Sequence, residues 1–178
     1  MKYTACALAM MVAATITSTA MAAEGTINFN GELKAETCQV SVNGGGTSVV
    51  TLPTLSTSKL DESGKVAGLT SFNINLSNCS AALKTAAAFF QAGGGVDPSN
   101  GTLKNSGSAT NVRLQLVDAT SGKPIKAGSS EQLVSTSRIA INENSLSADL
   151  PYAVQYFAEA ATGPGTVISS VTYNIDYK

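Results

Sequence analysis

The chain has 178 residues, with 11 Lys and Arg against 12 Asp and Glu, no histidine, and only 6% aromatic residues. A formal charge of −1 with acids and bases scattered is not the electrostatic footprint of a nucleic-acid binder, and no basic amphipathic helix is offered to a membrane surface. Without histidine, neither Ser-His-Asp nor Cys-His catalysis is available, nor are histidine metal sites, so the composition points away from an enzyme and implies no cofactor.

The first residues read as a leader. Lys2 supplies a short positive segment, Ala5 to Ile16 an apolar run, and Ala20-Met21-Ala22 a small-residue cleavage box. The spacing predicts a signal peptide over 1–22 and a mature start at Ala23. Removing those 22 residues from 178 leaves 156, enough for one domain of ordinary size. No segment approaches the roughly 20 apolar residues needed to span a bilayer, so no membrane insertion is expected. Directly after the cleavage site, Gly25, Ile27, Phe29, Gly31 and Leu33 share one parity, while Thr26, Asn28, Asn30 and Glu32 share the other. That is a half-buried strand pattern on a free end. Residues 23–34 are therefore read as an arm and 35–178 as the domain.

Strand-like stretches follow in quick succession: Cys38–Val42, a Gly44–Gly46 turn, Ser48–Pro53, a polar loop from Ser56 to Val66, and alternating Leu69–Cys79. Cys6 falls within the leader, which leaves Cys38 and Cys79. An even count in an exported chain reads as a disulfide, with two free thiols as the alternative. A closed loop of about 42 residues would contribute about 4 kcal/mol in a chain-entropy treatment. Ala81–Ala92 is ambiguous between a helical turn near Ala81–Thr85 and a strand ending at Gly93-Gly94-Gly95. Pro98–Asn111 reads as a long connection with a small Thr102–Lys104 piece. Asn111–Asp118 alternates, Ser121–Pro124 turns, Ile125–Ala127 pairs locally, and Arg138–Asn142 is short and apolar. Asp149–Ala160 puts Leu150, Tyr152, Val154 and Tyr156 on one face. Gly165–Lys178 alternates Val167, Val171, Tyr173, Ile175 and Tyr177 up to Lys178. Asp61, Glu62, Asp118, Glu131 and Asp149 fall in loops or at strand ends and read as solvated. Many short strands with Gly, Ser and Asn turns argue for one two-sheet antiparallel sandwich.

The two ends stand out, because neither strand is blunted by charge or proline as exposed edges usually are. If the last strand is the penultimate one of an immunoglobulin-like topology, the core lies open beside it, and a copy of Gly25–Leu33 from another molecule would fill the groove. The bland readings are a flexible start at Gly25 and ordinary strand packing for Tyr173, Ile175 and Tyr177.

GTINFNGEL, then ETC at Cys38, LPTLSTSKL, the Gly68–Phe72 region leading to INLSNC at Cys79, and the terminal VTYNIDYK with Tyr177 penultimate occur in this order behind the leader. Together they resemble the chaperone–usher fimbrial subunits, specifically the major pilins of type 1-like fimbriae, across essentially the whole chain. The resemblance implies an all-β, incomplete immunoglobulin-like sandwich lacking its last strand, completed by a donor strand from another subunit. It implies a periplasmic chaperone that lends a strand to the groove at Val171, Tyr173, Ile175 and Tyr177 and anchors the carboxylate of Lys178. At an outer-membrane usher, the arm of the next subunit would replace that strand, a form of β-augmentation. By parity Gly25 would fit a shallow pocket, with Ile27 and Phe29 in deeper ones. The implied partners are other copies of the chain and related pilins, in a surface fimbria reached through the periplasm. The second reading, from a different class, is a single-domain carbohydrate-binding adhesin or a minor tip or adaptor pilin.

Overall fold

Alternating side chains on two long strands build the centre of the molecule. The computed structural model describes residues 37–45 and 48–178. The leader and the arm positions Gly25, Ile27, Phe29, Gly31 and Leu33 lie outside the described residues. In chain order the strands are β1 (Gln39–Val42), β2 (Val66–Ser77), β3 (Thr85–Phe90), β4 (Leu103–Lys104), β5 (Val112–Asp118) and β6 (Pro124–Ile125). A short helix α1 (Gln132–Ser135) precedes β7 (Ile139–Ala140), β8 (Ala148–Ala158) and β9 (Tyr173–Tyr177). One sheet runs β1-β2-β8-β5-β4, with β6 also on β5; the second runs β7-β3-β9. Every ladder is antiparallel.

The period-2 pattern places Ile74 and Leu76 of β2, Leu114 and Leu116 of β5, and Leu150, Tyr152 and Val154 of β8 in one core with Ala86, Ala88 and Phe90 of β3. Tyr152 joins the layers. Its ring meets Phe90 edge-on at 5.2 Å and tilts against Phe72 at 6.0 Å, and its hydroxyl accepts the Ala88 N–H at 2.7 Å. Burial pushes its pKa up to about 12, so the hydroxyl stays neutral. The ambiguous Ala81–Ala92 stretch is a strand from Thr85. Three alanines favour a strand only weakly; here the backbone is held between β9, β7 and the Tyr152 hydroxyl.

Between Ala67 and Thr70 the β2–β8 register shifts. Gly68 sits in this bulge at φ +72°, and a Cβ there would lie 2.9 Å from both Leu55 and the Tyr156 ring. The conformation and the space both require glycine.

Cys38, just ahead of β1, is bonded to Cys79, just after β2, with Cα atoms 4.0 Å apart. The bridge staples β1 to the rest of its sheet.

One acidic residue departs from the sequence expectation. Asp118 is buried, with 1% exposure. Its carboxylate accepts the Thr120 N–H at 3.0 Å, the Ser121 hydroxyl at 2.8 Å and the Ser137 N–H at 2.9 Å, tying the β5–β6 turn to the approach to β7. Burial alone would raise its pKa, but the bonds from Ser137, Ser121 and Thr120 outweigh it and hold the group below the ordinary 3.8. The alternation over Gly165–Lys178 also yields less strand than expected, because β9 begins only at Tyr173. The preceding stretch gives its main-chain bonds to a loop instead: Ser106 N–H donates to Ile168 O at 2.8 Å and Ala109 N–H to Thr166 O at 3.0 Å. The Asn105 side chain accepts the Ile168 N–H at 2.8 Å.

Two measurements follow from this architecture. Replacing Cys38 and Cys79 together by serine is expected to lower stability by about 2–5 kcal/mol, read as a lower urea midpoint; an unchanged midpoint contradicts a structural bridge. A carboxylate whose folded pKa is depressed stabilises the fold above its unfolded pKa, and that contribution disappears as pH falls through the folded value. Between pH 5 and pH 2, about where carboxylates titrate, the urea midpoint should therefore fall less steeply in Asp118→Asn than in the parent. Parallel pH profiles would show that Asp118 carries none of the acid sensitivity.

Candidate functional site

Among the described residues, β9 lies at the end of the second sheet and pairs with a strand on one side only. Thr85 and Lys178 exchange both main-chain bonds at 2.9 Å, and at the other end Gln91 N–H donates to Thr172 O at 2.8 Å. With the register Ala86↔Tyr177, Ala88↔Ile175 and Phe90↔Tyr173, the even-numbered residues of β9 face β3 with their main chains. Antiparallel alternation then turns the N–H and C=O groups of Tyr173, Ile175 and Tyr177 to the outer edge. Among the described residues, no strand pairs with that edge.

The side chains of the same three residues, with Val171 upstream, are half-buried against the core. The Tyr173 ring tilts against Phe90 at 6.3 Å, and burial raises its hydroxyl above the ordinary tyrosine value. The Tyr177 hydroxyl accepts the Cys38 N–H at 3.4 Å, which links the end of β9 to the disulfide. Lys178 is exposed, and its main-chain oxygen accepts N–H bonds from Lys84 at 2.7 Å and Thr85 at 2.9 Å.

Arg138, just ahead of β7, fastens the strands together. It donates from Nε to Thr85 Oγ1 at 3.1 Å, from Nη2 to Asp176 O at 2.9 Å and to Thr85 O at 3.3 Å. Its Nη1 also pairs with the Asp176 carboxylate. One planar guanidinium thus bridges β3 and β9 in a fork that a lysine does not reproduce. Nothing in the sequence pattern singles this residue out.

A second stretch of backbone also lacks a ladder. Residues 48–55, where the SVVTLP pattern predicts a strand, form none and make no main-chain to main-chain bond among the described residues. Pro53 O accepts only the Tyr156 hydroxyl, at 3.2 Å. Val50 and Leu52 alternate onto the same core that Val171, Tyr173, Ile175 and Tyr177 cover. A separate cavity of about 550 Å³ has Leu55, Val112, Tyr156, Thr162, Pro164 and Val167 in its mixed polar and apolar lining. The structure thus brings together Val171, Tyr173, Ile175 and Tyr177 and adds Val50 and Leu52 to them; Cys38 and Cys79 form the nearby bridge. The arm residues Gly25, Ile27, Phe29, Gly31 and Leu33 lie outside the described residues.

What this arrangement offers is main-chain pairing and apolar burial. No metal-holding group of three or more His, Cys, Asp or Glu occurs among the described residues. Comparison with known proteins gives the same direction. The family profile described as FimA: Type-1 fimbrial protein, A, matches residues 52–178. The chain is 44% identical over 162 residues to the major fimbrial subunit SMF-1 of Stenotrophomonas maltophilia, covering 89% of this chain and 95% of that protein. It is 37% identical over 174 residues to the F17 fimbrial protein of Escherichia coli, covering 94% and 95% respectively. The crystal structure of the P pilus rod subunit PapA superposes with a TM-score of 0.54 at 21% identity, over 87% of this chain and 100% of that one. That likeness shows the fold, an immunoglobulin-like sandwich in which, among the described residues, no strand pairs with the outer edge of β9. The chain belongs to the type-1 fimbrial protein family: it is a subunit of a cell-surface fimbria, assembling with other pilins, and a structural protein, not an enzyme.

Proposed function

We propose that the chain is the repeating major subunit of its fimbria and that it polymerises by strand exchange, the 23–34 arm of one subunit lying along β9 of the next. The observation that carries this reading is the outer edge of β9, where Tyr173, Ile175 and Tyr177 present main-chain groups without a strand partner among the described residues while their side chains face the core. An arriving strand of matching alternation meets both needs. Gly25, Ile27, Phe29, Gly31 and Leu33 supply it, and they would meet the core that Val50 and Leu52 also cover. Each apolar side chain so buried contributes roughly 1.5–3 kcal/mol, and the ladder bonds satisfy the edge. A contact of this kind joins two different surfaces and does not close, so it propagates as a filament. The strong likeness to a relative named a major fimbrial subunit, over nearly its whole length, supports the major role.

On this reading residues 1–22 are a signal peptide that directs export, and 35–178 form the pilin domain. Before assembly a periplasmic chaperone lends a strand to the same edge and engages Lys178; at the outer-membrane usher the incoming arm displaces it.

Deleting Ala23–Asn30 is expected to give a subunit that still binds its chaperone but neither caps nor extends a fibre; normal assembly of the deleted protein would sink the reading. In Ile175→Asp an arriving strand would bury an unpaired carboxylate. Affinity for a synthetic Gly25–Leu33 peptide should fall by about 100-fold or more, and undiminished binding would place the peptide elsewhere.

A further inference from the structure

The second sheet has two ends, and the one opposite β9 is closed in a different way. Odd-numbered residues of β3 bond to β9, so Ala86, Ala88 and Phe90 turn their main chains the other way. There β7 is only two residues long and reaches no further than Ala86. Beyond it, side chains take the place of a strand. The Ala88 N–H donates to the Tyr152 hydroxyl at 2.7 Å. The Phe90 N–H donates to Gln132 Oε1 at 3.0 Å, and Gln132 Nε2 donates back to Phe90 O at 2.9 Å. A primary amide holds a donor and an acceptor in one plane, as a peptide group does, so Gln132 pairs with Phe90 as one residue of a neighbouring strand would. Gly128 N–H shares the same oxygen at 2.9 Å, and Ser129 O accepts from Gln132 Nε2 at 3.1 Å.

The helix carrying Gln132 inverts the usual distribution of side chains. Gln132 is buried at 3% exposure, while its neighbours Leu133 and Val134 stand 48% and 89% exposed. Burying an amide is unfavourable unless its groups are bonded, and here both ends of it are matched to β3. Core filling would have placed Leu133 or Val134 inward.

We infer that Gln132, with Tyr152, makes strand addition one-sided: the pair occupies the Ala88 N–H and both main-chain groups of Phe90 on the β3 edge, so an arm from another subunit adds only along β9. They are specificity-determining residues for assembly, and their role rests on the strand-exchange reading above. Without them Phe90 would present a free N–H donor, beside an oxygen held only by the Gly128 N–H, at a sheet edge, the usual template for unwanted pairing.

The test uses the full-length mature chain carrying Q132L or Q132E. Residue-resolved hydrogen exchange is followed before and after assembly, with electron microscopy of the products. In Q132L the Phe90 amide should exchange about tenfold or more faster before assembly. It should then regain protection on assembly, as a second strand adds there, and filaments should branch or bundle. Q132E keeps an acceptor for the Phe90 N–H and loses the donor to Phe90 O, so it should retain Phe90 protection and branch less; it decides the matter if Q132L does not fold. Unbranched Q132L filaments whose Phe90 amide stays fast, or unchanged Phe90 exchange before assembly, would overturn the inference. In Q132E alone, straight filaments indistinguishable from the parent together with fast Phe90 exchange would do the same. The parent protein separates the two ideas: if its Tyr173, Ile175 and Tyr177 amides gain no protection on assembly, strand exchange itself fails, whatever the Gln132 variants do.

Discussion

Every strand carries two rows of main-chain donors and acceptors, and β9 satisfies one of them within the described residues. The rest of the structure can be ordered around that single constraint. Leaving polar backbone without a partner beside an apolar core is unfavourable, so such an edge needs firm support behind it. Arg138 grips β9 and β3 together, the Tyr177 hydroxyl meets the Cys38 backbone next to the disulfide, and Phe90 backs the Tyr173 ring. None of these contacts occupies the outer row. They hold the strand in a shape that a partner strand can join.

The same sheet shows two solutions to one problem. A short strand, a hydroxyl and an amide bond the β3 edge, whereas the outer edge of β9 has no strand partner among the described residues. A subunit that builds an open-ended filament by pairing strands has reason to expose one edge and hide the other, since each additional free edge is a further site of association. Membership in the fimbrial family and the asymmetry of the sheet therefore point the same way, although they rest on separate observations.

Much of this was legible before any coordinates, and the part that was not has an identifiable cause. β2, β5 and β8 announce themselves because one face is core over most of their length, as in Phe72, Ile74 and Leu76, Val112, Leu114 and Leu116, and Leu150, Tyr152 and Val154. The β2 bulge and buried Val117 and Ala153 interrupt the alternation. The parity of Tyr173, Ile175 and Tyr177 likewise fixes which side chains face inward. Ala86–Ala88 gave no such signal, since alanine suits a helix as readily and its strand is dictated by partners distant in sequence. Val167 kept the alternation but not the strand, because Asn105 and the neighbouring loop captured the backbone there. Asp118, Gln132 and Arg138 were illegible for a related reason: each is a polar residue with at least one partner from a more distant segment, Ser137, Phe90 and Asp176 respectively, and hydrophobic patterning carries no record of them. SVVTLP has the composition of a strand, yet among the described residues it forms none, because no ladder partner holds it.

The most direct test of the central claim is a filament map by electron cryomicroscopy that resolves main chain beside β9. The account predicts a strand from the neighbouring subunit, with the side chains of Ile27 and Phe29 directed into the core between the sheets. A map in which the outer edge of Tyr173–Tyr177 is covered by the subunit's own domain, or lies bare in the assembled fibre, would contradict it.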